Sequence, residues 1–343
     1  MMEINSLVRQ NILSLKSYST ARSELSLNTN ILLDENENPF NTPFNRYPDS
    51  LQKNLKNDIS EYKKVPAENI FLGNGSIEII DLLYRVFCEP TKDNVVAIEP
   101  TCESYAHSAA INNVEYRRVC LNSNFDIEAY QIMDATNVNT KIIWLCSPNN
   151  PSGNTLNYSE IIKILDWFRG IVVIDEAYID FSQHDSFISH LATFPNLVVL
   201  QTFSKAFANA AIRLGTAFAA AEIIAYLNKV KYPYNVNLLT QHQASLALEN
   251  SMQKDAWVRE ILAERKKLVS ALEKIRIVER VYPTDANFVL IKVIDAKAAY
   301  NFLVKKRIIV SNQSHNALCE NCLRITVGTA NENKMLVESL KCL

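Results

Sequence analysis

Short, almost wholly apolar runs alternate with helix-like segments through the first two thirds of the chain. This alternation constrains the fold more than any other feature. The clearest runs are rich in β-branched residues and lie at 95–98, 141–146, 171–174 and 197–200. Strands that are apolar on both faces are typical of a parallel sheet covered by helices on both sides. We therefore predict an α/β fold with a mostly parallel central sheet.

The pattern changes near residue 233. Residues 238–275 have the periodicity of long helices, and strand-like runs follow at 288–291 and 323–327. This pattern predicts a smaller α+β unit. Near the other end of the chain, Ile31-Leu32-Leu33 predicts a short strand that enters a proline-ended turn. We predict an N-terminal arm at 1–35, a large domain at 36–233 and a small C-terminal domain at 234–343.

Composition excludes several classes of function. The formal net charge of −2 gives no electrostatic basis for binding nucleic acid or an acidic membrane. No apolar run reaches the ~18 residues that a membrane span requires. Residues 1–11 lack the apolar core of a signal peptide. These features predict a cytoplasmic protein.

The cysteines point to the same compartment. The chain has seven, an odd number, and they are scattered. We interpret them as reduced thiols. Cys319 and Cys322 form a lone Cys-x-x-Cys pair, and without a second pair or a pair of histidines we predict no metal site.

Polar residues follow several of the predicted strands. Ser76, Asn150, Asp175 and Lys205 all come within five residues of the end of an apolar run. The carboxyl ends of parallel strands meet at one edge of a sheet, and ligands bind there. Taken singly, Asp175 could be a helix cap and Lys205 an exposed loop lysine. Together they match a pyridoxal phosphate site, which needs an amine, an acid facing the pyridine nitrogen and a phosphate cup.

The turn 73–76 lies between a short apolar run and a strongly helical segment, and such a helix N-terminus favours an anion. A plain turn would have the same sequence, so this motif is weak by itself. Other motifs follow in order over nearly the whole chain: 36–39 (Asn-Glu-Asn-Pro), 46–48 (Arg-Tyr-Pro), 99–101 (Glu-Pro-Thr), 147–153 (Ser-Pro-Asn-Asn-Pro-Ser-Gly), 175–178 (Asp-Glu-Ala-Tyr), 202–207 (Thr-Phe-Ser-Lys-Ala-Phe), 213–215 (Arg-Leu-Gly) and 323–328 (Leu-Arg-Ile-Thr-Val-Gly).

With these motifs the chain resembles the histidinol-phosphate aminotransferase family, within the fold-type I pyridoxal-phosphate aminotransferases. The resemblance implies that Lys205 binds the cofactor covalently and moves the substrate proton. Asp175 would pair with the ring nitrogen, and Tyr178 and Asn150 would hydrogen-bond the ring's phenolic oxygen. Tyr105 would stack on the ring. The phosphate would be bound by Gly75, Ser76, Ile77, Thr202, Ser204 and Arg213, with Tyr47 reaching the cofactor of a neighbouring subunit.

The resemblance also implies a substrate site and a homodimer. Arg324 would hold the acidic group of the substrate, with Asn150 beside it. Tyr18 and Asn36 lie where the family's N-terminal segment closes over the substrate. Two departures stand out: Ile77 replaces the family's usual aspartate, and Ser311 stands where many relatives carry an arginine.

The implied reaction converts histidinol phosphate and 2-oxoglutarate to imidazole-acetol phosphate and glutamate, a step of histidine biosynthesis. Because Ser311 changes the substrate site, two alternatives stay open: an aromatic amino-acid aminotransferase and an enzyme similar to threonine-phosphate decarboxylase. A third, a cofactor-sensing regulator without catalysis, is disfavoured because Lys205, Asp175 and Arg213 are all present.

Overall fold

A computed structural model describes residues 3–16 and 31–343. Within them, the strands are β1 Ile70–Asn74, β2 Asn94–Glu99, β3 Glu115–Cys120, β4 Thr140–Cys146, β5 Ile171–Asp175, β6 Leu197–Thr202, β7 Leu214–Ala219, β8 Val278–Val281, β9 Phe288–Val293, β10 Ser311–Asn312 and β11 Cys322–Thr326. The α-helices are α1 Gln10–Ser14, α2 Lys53–Lys63, α3 Gly75–Phe87, α4 Glu103–Ile111, α5 Ala129–Asp134, α6 Tyr158–Trp167, α7 Ala221–Val230, α8 Leu238–Glu249, α9 Ser251–Leu272, α10 Ala296–Lys305 and α11 Ala330–Leu340. None of these helices is long and apolar enough to cross a membrane.

The seven-stranded sheet has the order β1-β7-β6-β5-β4-β2-β3. Strands β3, β2, β4, β5 and β6 run parallel, whereas β7 is antiparallel to both β6 and β1. The prediction of a mostly parallel α/β sheet is confirmed. Residues of β5 and most of β6 are wholly buried, because helices cover both faces of the sheet. This order places the ends of β4, β5 and β6 side by side.

The second sheet is antiparallel, with the order β10-β11-β9-β8. Helices α9, α10 and α11 pack on it through their apolar residues, including Leu268, Leu303 and Leu336. The predicted long helical region at 238–275 is two helices, since α8 ends at Glu249 and α9 begins at Ser251.

The described part of the predicted arm lies on the large sheet. Ile4, Val8 and Ile12 are buried in the same apolar cluster as residues of α3 and α7. Arg9 adds a hydrogen bond to the backbone oxygen of Arg85 and an ion pair with Glu89. Residues 3–16 of the predicted arm therefore pack on the unit that contains the large sheet.

The strand predicted at Ile31-Leu32-Leu33 is not formed. These residues are irregular, and Ile31 and Leu33 are exposed. A run of three apolar residues becomes a strand only when a neighbour provides hydrogen bonds and covers its side chains. Within the described residues, none pairs with this run.

Candidate active site

Asp175 is the last residue of β5 and is buried between two hydrogen-bond donors. Its Oδ2 accepts a hydrogen bond from the Tyr105 hydroxyl at 2.7 Å, and its Oδ1 accepts one from the backbone N–H of Ala177 at 3.1 Å. Burial raises the pKa of Asp175, whereas the two hydrogen bonds and the nearby Lys205 oppose that rise. The donors thus favour the carboxylate in a place where burial alone would favour the neutral acid.

Lys205 lies in the turn that follows β6, and its side chain is partly open to solvent. Its Nζ lies 5.5 Å from the centre of the Tyr178 ring. Desolvation by its neighbours lowers the pKa of Lys205, and the positive charges of Arg324 and Arg213 lower it further. An amine with a lowered pKa is available as a nucleophile and as a base.

The N-terminus of α3 and Arg213 form a cup beside this lysine. Helix α3 begins at Gly75, so Ser76 and Ile77 lie in its first turn, where backbone N–H groups have no partner within the helix. Gly75 has φ +73°, and a Cβ there would lie 2.6 Å from a guanidinium nitrogen of Arg213. Arg213 itself has φ +55°. The arrangement joins a guanidinium to a helix N-terminus, which is suited to a phosphate.

Thr202 ends β6, and Ser204 lies in the turn just before Lys205. The Thr202 hydroxyl donates to the backbone oxygen of Leu214 at 3.2 Å and accepts from the N–H of Ser204 at 3.1 Å. Both bonds hold the turn that carries Lys205. The predicted contact of Thr202 with the phosphate stays a prediction.

Arg324 lies on β11 of the small sheet and contacts the site. Its guanidinium donates a hydrogen bond to Oδ1 of Asn150, and its Cζ lies 5.5 Å from the centre of the Phe288 ring. Ser311 is the cross-strand partner of Arg324, so both side chains lie on one face of the sheet. The Ser311 hydroxyl accepts from Gln313 Nε2 at 2.6 Å. A neutral hydroxyl therefore stands where a second cation would lie beside Arg324.

Tyr178 is held by the same small sheet. It follows β5, and its ring meets the ring of Phe288 edge to face at a centroid distance of 5.1 Å. Burial raises the pKa of Tyr178, so its phenol is neutral and can donate a hydrogen bond. This contact spans the two units of the fold beside Lys205.

Tyr105 is placed differently from the prediction that it stacks on the cofactor. Its ring is completely buried and stacks on Trp144 at a centroid distance of 4.9 Å. The structure instead directs the hydroxyl of Tyr105 to Asp175.

Two other predicted residues, Tyr47 and Asn36, lie apart from this cluster. Tyr47 is exposed and stacks on Tyr234 at 4.6 Å, and Asn36 lines the same open pocket as Tyr47. Within the described residues, neither makes a hydrogen bond to Lys205, Asp175 or Arg213. Tyr18 lies outside the described residues.

Sequence reasoning missed two residues that shape the site. Asn149 is fully buried, accepts a hydrogen bond from the Thr101 hydroxyl and donates to the backbone oxygen of Pro100, which joins the loops after β2 and β4. Glu176 accepts from the Ser186 hydroxyl and from Gln201 Nε2. Each lies next to a predicted site residue, Asn149 beside Asn150 and Glu176 beside Asp175. Only contacts between segments that are distant in the sequence show that the neighbours have different roles.

These groups fit pyridoxal phosphate. An amine, a buried carboxylate and an anion cup lie at the ends of neighbouring strands of the large sheet. Lys205 could bind the cofactor, Asp175 could face its ring nitrogen, and Arg213 with α3 could hold its phosphate. The donors on Asp175 favour the charged carboxylate that a protonated ring nitrogen requires.

Comparison with known proteins agrees with this chemistry. A family model described as aminotransferase class I and II matches residues 17–340. Histidinol-phosphate aminotransferases of Bacteroides thetaiotaomicron and Flavobacterium psychrophilum are 53% and 48% identical to the chain over 342 residues, with 99% of each protein covered in both cases.

Solved structures share the fold. The histidinol-phosphate aminotransferase of Clostridium acetobutylicum has a TM-score of 0.80 at 26% identity, with 87% of this chain and 90% of that one covered. The Sinorhizobium meliloti enzyme, solved in complex with pyridoxal-5'-phosphate, has a TM-score of 0.79 at 19% identity and covers 86% and 82%. The chain belongs to the class I and II aminotransferases and, within them, to the histidinol-phosphate aminotransferase family.

Proposed function

We propose that the protein transfers the amino group between histidinol phosphate and 2-oxoglutarate with pyridoxal phosphate as cofactor. The observation that carries the proposal is identity of about half of all residues, over the full length, to relatives of that name. The grouping of Lys205, Asp175 and the anion cup supports the same chemistry.

Lys205 and Asp175 would supply the central steps. When bound, pyridoxal phosphate provides an electron sink that lets a proton leave the substrate carbon next to nitrogen. Lys205 Nζ would bind the cofactor and then carry that proton, for which its lowered pKa suits it. Asp175 would keep the ring nitrogen protonated through a buried ion pair.

The remaining groups would orient the cofactor and the substrate. Arg213 and the first turn of α3 would fix the phosphate. Asn150 uses Oδ1 to accept from Arg324, which leaves its amide N–H groups for the ring oxygen. Arg324 would bind the anionic end of each substrate, the phosphate of histidinol phosphate or the distal carboxylate of 2-oxoglutarate.

A panel of amino donors tests the substrate. Histidinol phosphate, phenylalanine and threonine phosphate should be compared at equal concentration, with 2-oxoglutarate as acceptor and carbon dioxide release as a second readout. We expect the highest kcat/KM with histidinol phosphate. A clear preference for phenylalanine, or release of carbon dioxide from threonine phosphate, would replace the proposed activity with one of the alternatives.

Absorbance tests the cofactor and its lysine. Protein purified with pyridoxal phosphate should show a visible band that is lost in Lys205→Ala. Lys266→Ala, a change at an exposed lysine of α9, is the matched control and should keep the band. An unchanged band in Lys205→Ala would assign the cofactor to a different amine.

We also propose a homodimer in which Tyr47 of one subunit completes the site of the other. Large apolar side chains are exposed near Tyr47, including Phe40, Phe44 and Leu239. Such a patch favours association. Light scattering should give a dimer mass, and a monomer that is fully active would exclude a shared site.

Mixed subunits give a sharper test. Lys205→Ala and Tyr47→Ala proteins should each be impaired, but a heterodimer of the two contains one intact site. Random reassociation should therefore restore roughly a quarter of wild-type activity in a two-fold symmetric dimer. No recovery after mixing would show that both residues act within one chain.

We also propose the domain boundaries and the cellular location of the protein. We place an arm at 1–35, a large domain at 36–233 and a small domain at 234–343, in a cytoplasmic enzyme. Limited proteolysis should cut near residues 233–238 before it cuts within either sheet. Cell fractionation should recover the protein with other cytoplasmic enzymes.

A further inference from the structure

The hydroxyl of Tyr105 has one strong acceptor, Asp175. The bond to Asp175 Oδ2 is 2.7 Å long, and both residues are at least 95% buried. Tyr105 lies in the first turn of α4, whereas Asp175 ends β5, so the bond joins segments that are 70 residues apart. A hydrogen bond to a buried charged group is among the stronger single interactions in a protein.

Aromatic packing fixes the direction of this hydroxyl. The Tyr105 ring is nearly parallel to Trp144, with 13° between the planes, and Trp144 packs in turn against Tyr84 at 5.5 Å. The Tyr84 hydroxyl donates to the backbone oxygen of Tyr105 at 2.9 Å. With its ring and its backbone both held, Tyr105 can direct its hydroxyl only toward the end of β5.

We propose that Tyr105 is a positioning residue that holds the carboxylate of Asp175 toward the cofactor ring nitrogen. The inference rests on the proposed use of pyridoxal phosphate. Its geometric basis is that Ala177 N–H occupies Oδ1 and Tyr105 occupies Oδ2, so the carboxylate cannot rotate. The carboxylate is then held in one orientation before the cofactor binds, so no rotational freedom is lost when the ring nitrogen arrives.

The same bond favours the charged form of Asp175 over the neutral acid, against the effect of burial. The other titratable groups that act on Asp175 or lie beside it are Lys205 from the turn after β6, Cys146 from β4 and Cys102 at the start of α4. Of these, Lys205 favours the anion, and the two thiols are neutral because burial raises the pKa of each. Lys205 acts on Asp175 through its charge alone, so among the described residues the Tyr105 hydroxyl is the side-chain hydrogen-bond donor to this carboxylate.

Tyr105→Phe tests the inference because it removes the hydroxyl and keeps the stacked ring. The readout is cofactor affinity, measured by titration of the cofactor-free protein with pyridoxal phosphate at several pH values. We expect roughly tenfold weaker binding at neutral pH, as for the loss of a hydrogen bond to a charged group. The pH below which the cofactor is released should rise by about one unit, since the pKa of Asp175 rises.

Tyr84→Phe is the matched control. It also removes a buried tyrosine hydroxyl from the same aromatic stack, but that hydroxyl bonds a backbone oxygen. It should leave cofactor affinity and the pH of release near wild type, whereas the melting temperature should fall in both variants because each loses a buried hydrogen bond. Equal affinities for the two variants would overturn the inference and leave the proposed function intact.

Two further variants complete the test. In an Asp175→Asn background, Tyr105→Phe should weaken binding no further, and an undiminished effect there would overturn the inference. Tyr105→His keeps an aromatic N–H donor and should recover part of the affinity, whereas affinity no better than that of Tyr105→Phe would count against the role of the hydroxyl. If the wild-type protein does not bind pyridoxal phosphate at all, the proposed function itself fails.

Discussion

Gly75→Ala is a precise probe of the proposed phosphate cup. Gly75 has φ +73°, a conformation that costs alanine about 1–2 kcal/mol. The new methyl carbon would also lie 2.6 Å from a guanidinium nitrogen of Arg213, so the guanidinium must move. The loss of one charge-assisted hydrogen bond to phosphate costs about 1.5–3 kcal/mol, which weakens pyridoxal phosphate binding roughly 10- to 100-fold.

Gly153→Ala is the control, because it adds backbone strain and an equally close contact at a place away from Arg213. Gly153 has φ +89°, and a Cβ there would lie 2.5 Å from the Thr284 hydroxyl, away from the guanidinium. Both variants should lower the melting temperature by a few degrees. Only Gly75→Ala should weaken cofactor binding by more than tenfold. If cofactor titration gave the same dissociation constant for both variants, the assignment of Arg213 and α3 to the phosphate would be wrong.

Three further predictions concern charge, specificity and packing. Burial raises the pKa of Glu176 to about 7, so the free energy of unfolding should fall as the pH rises from about 4.5 to 7. In urea titrations across this pH range, Glu176→Gln should show a smaller fall. Ser311→Arg, which adds a cation facing Arg324, the proposed substrate-binding arginine, should lower KM for histidinol phosphate roughly tenfold and leave KM for phenylalanine unchanged. Ser314→Arg, on the exposed loop, should leave both KM values unchanged. Ile12→Ala should lower the free energy of unfolding by about 2–4 kcal/mol, because Ile12 is buried. Leu15→Ala, at an exposed residue, should change it little. Equal effects of the two variants would mean that the N-terminal segment is not part of the core.

The residues at strand ends could be predicted because one physical rule covers them. A wholly apolar run predicts a buried strand, and a polar residue directly after it must lie at the sheet edge. This rule placed Asp175 and Lys205, and the structure puts them on neighbouring strands, with Asp175 ending β5 and Lys205 in the turn after β6. The antiparallel direction of β7 could not be predicted in this way, because an apolar run has no direction.

Contacts between segments that are distant in the sequence could not be predicted either. Tyr105 and Tyr178 are both tyrosines near the site, and only the path of α4 beneath Trp144 shows that one is wholly buried. The run Ile31-Leu32-Leu33 was expected to form a strand because its residues are apolar. The local pattern of apolar residues indicates which secondary structure a segment favours. Whether a strand forms depends on a neighbouring strand that can pair with it.

The left-handed backbone of Arg213 has a consequence for how this chain can change under selection. A residue with a side chain at φ +55° costs about 1–3 kcal/mol relative to an unstrained one, and glycine would remove that cost. Arg213→Gly should therefore relax the turn while removing the guanidinium beside α3. Selection for stability alone would favour glycine at this position, so an arginine here is the expected residue if its guanidinium serves the proposed phosphate cup.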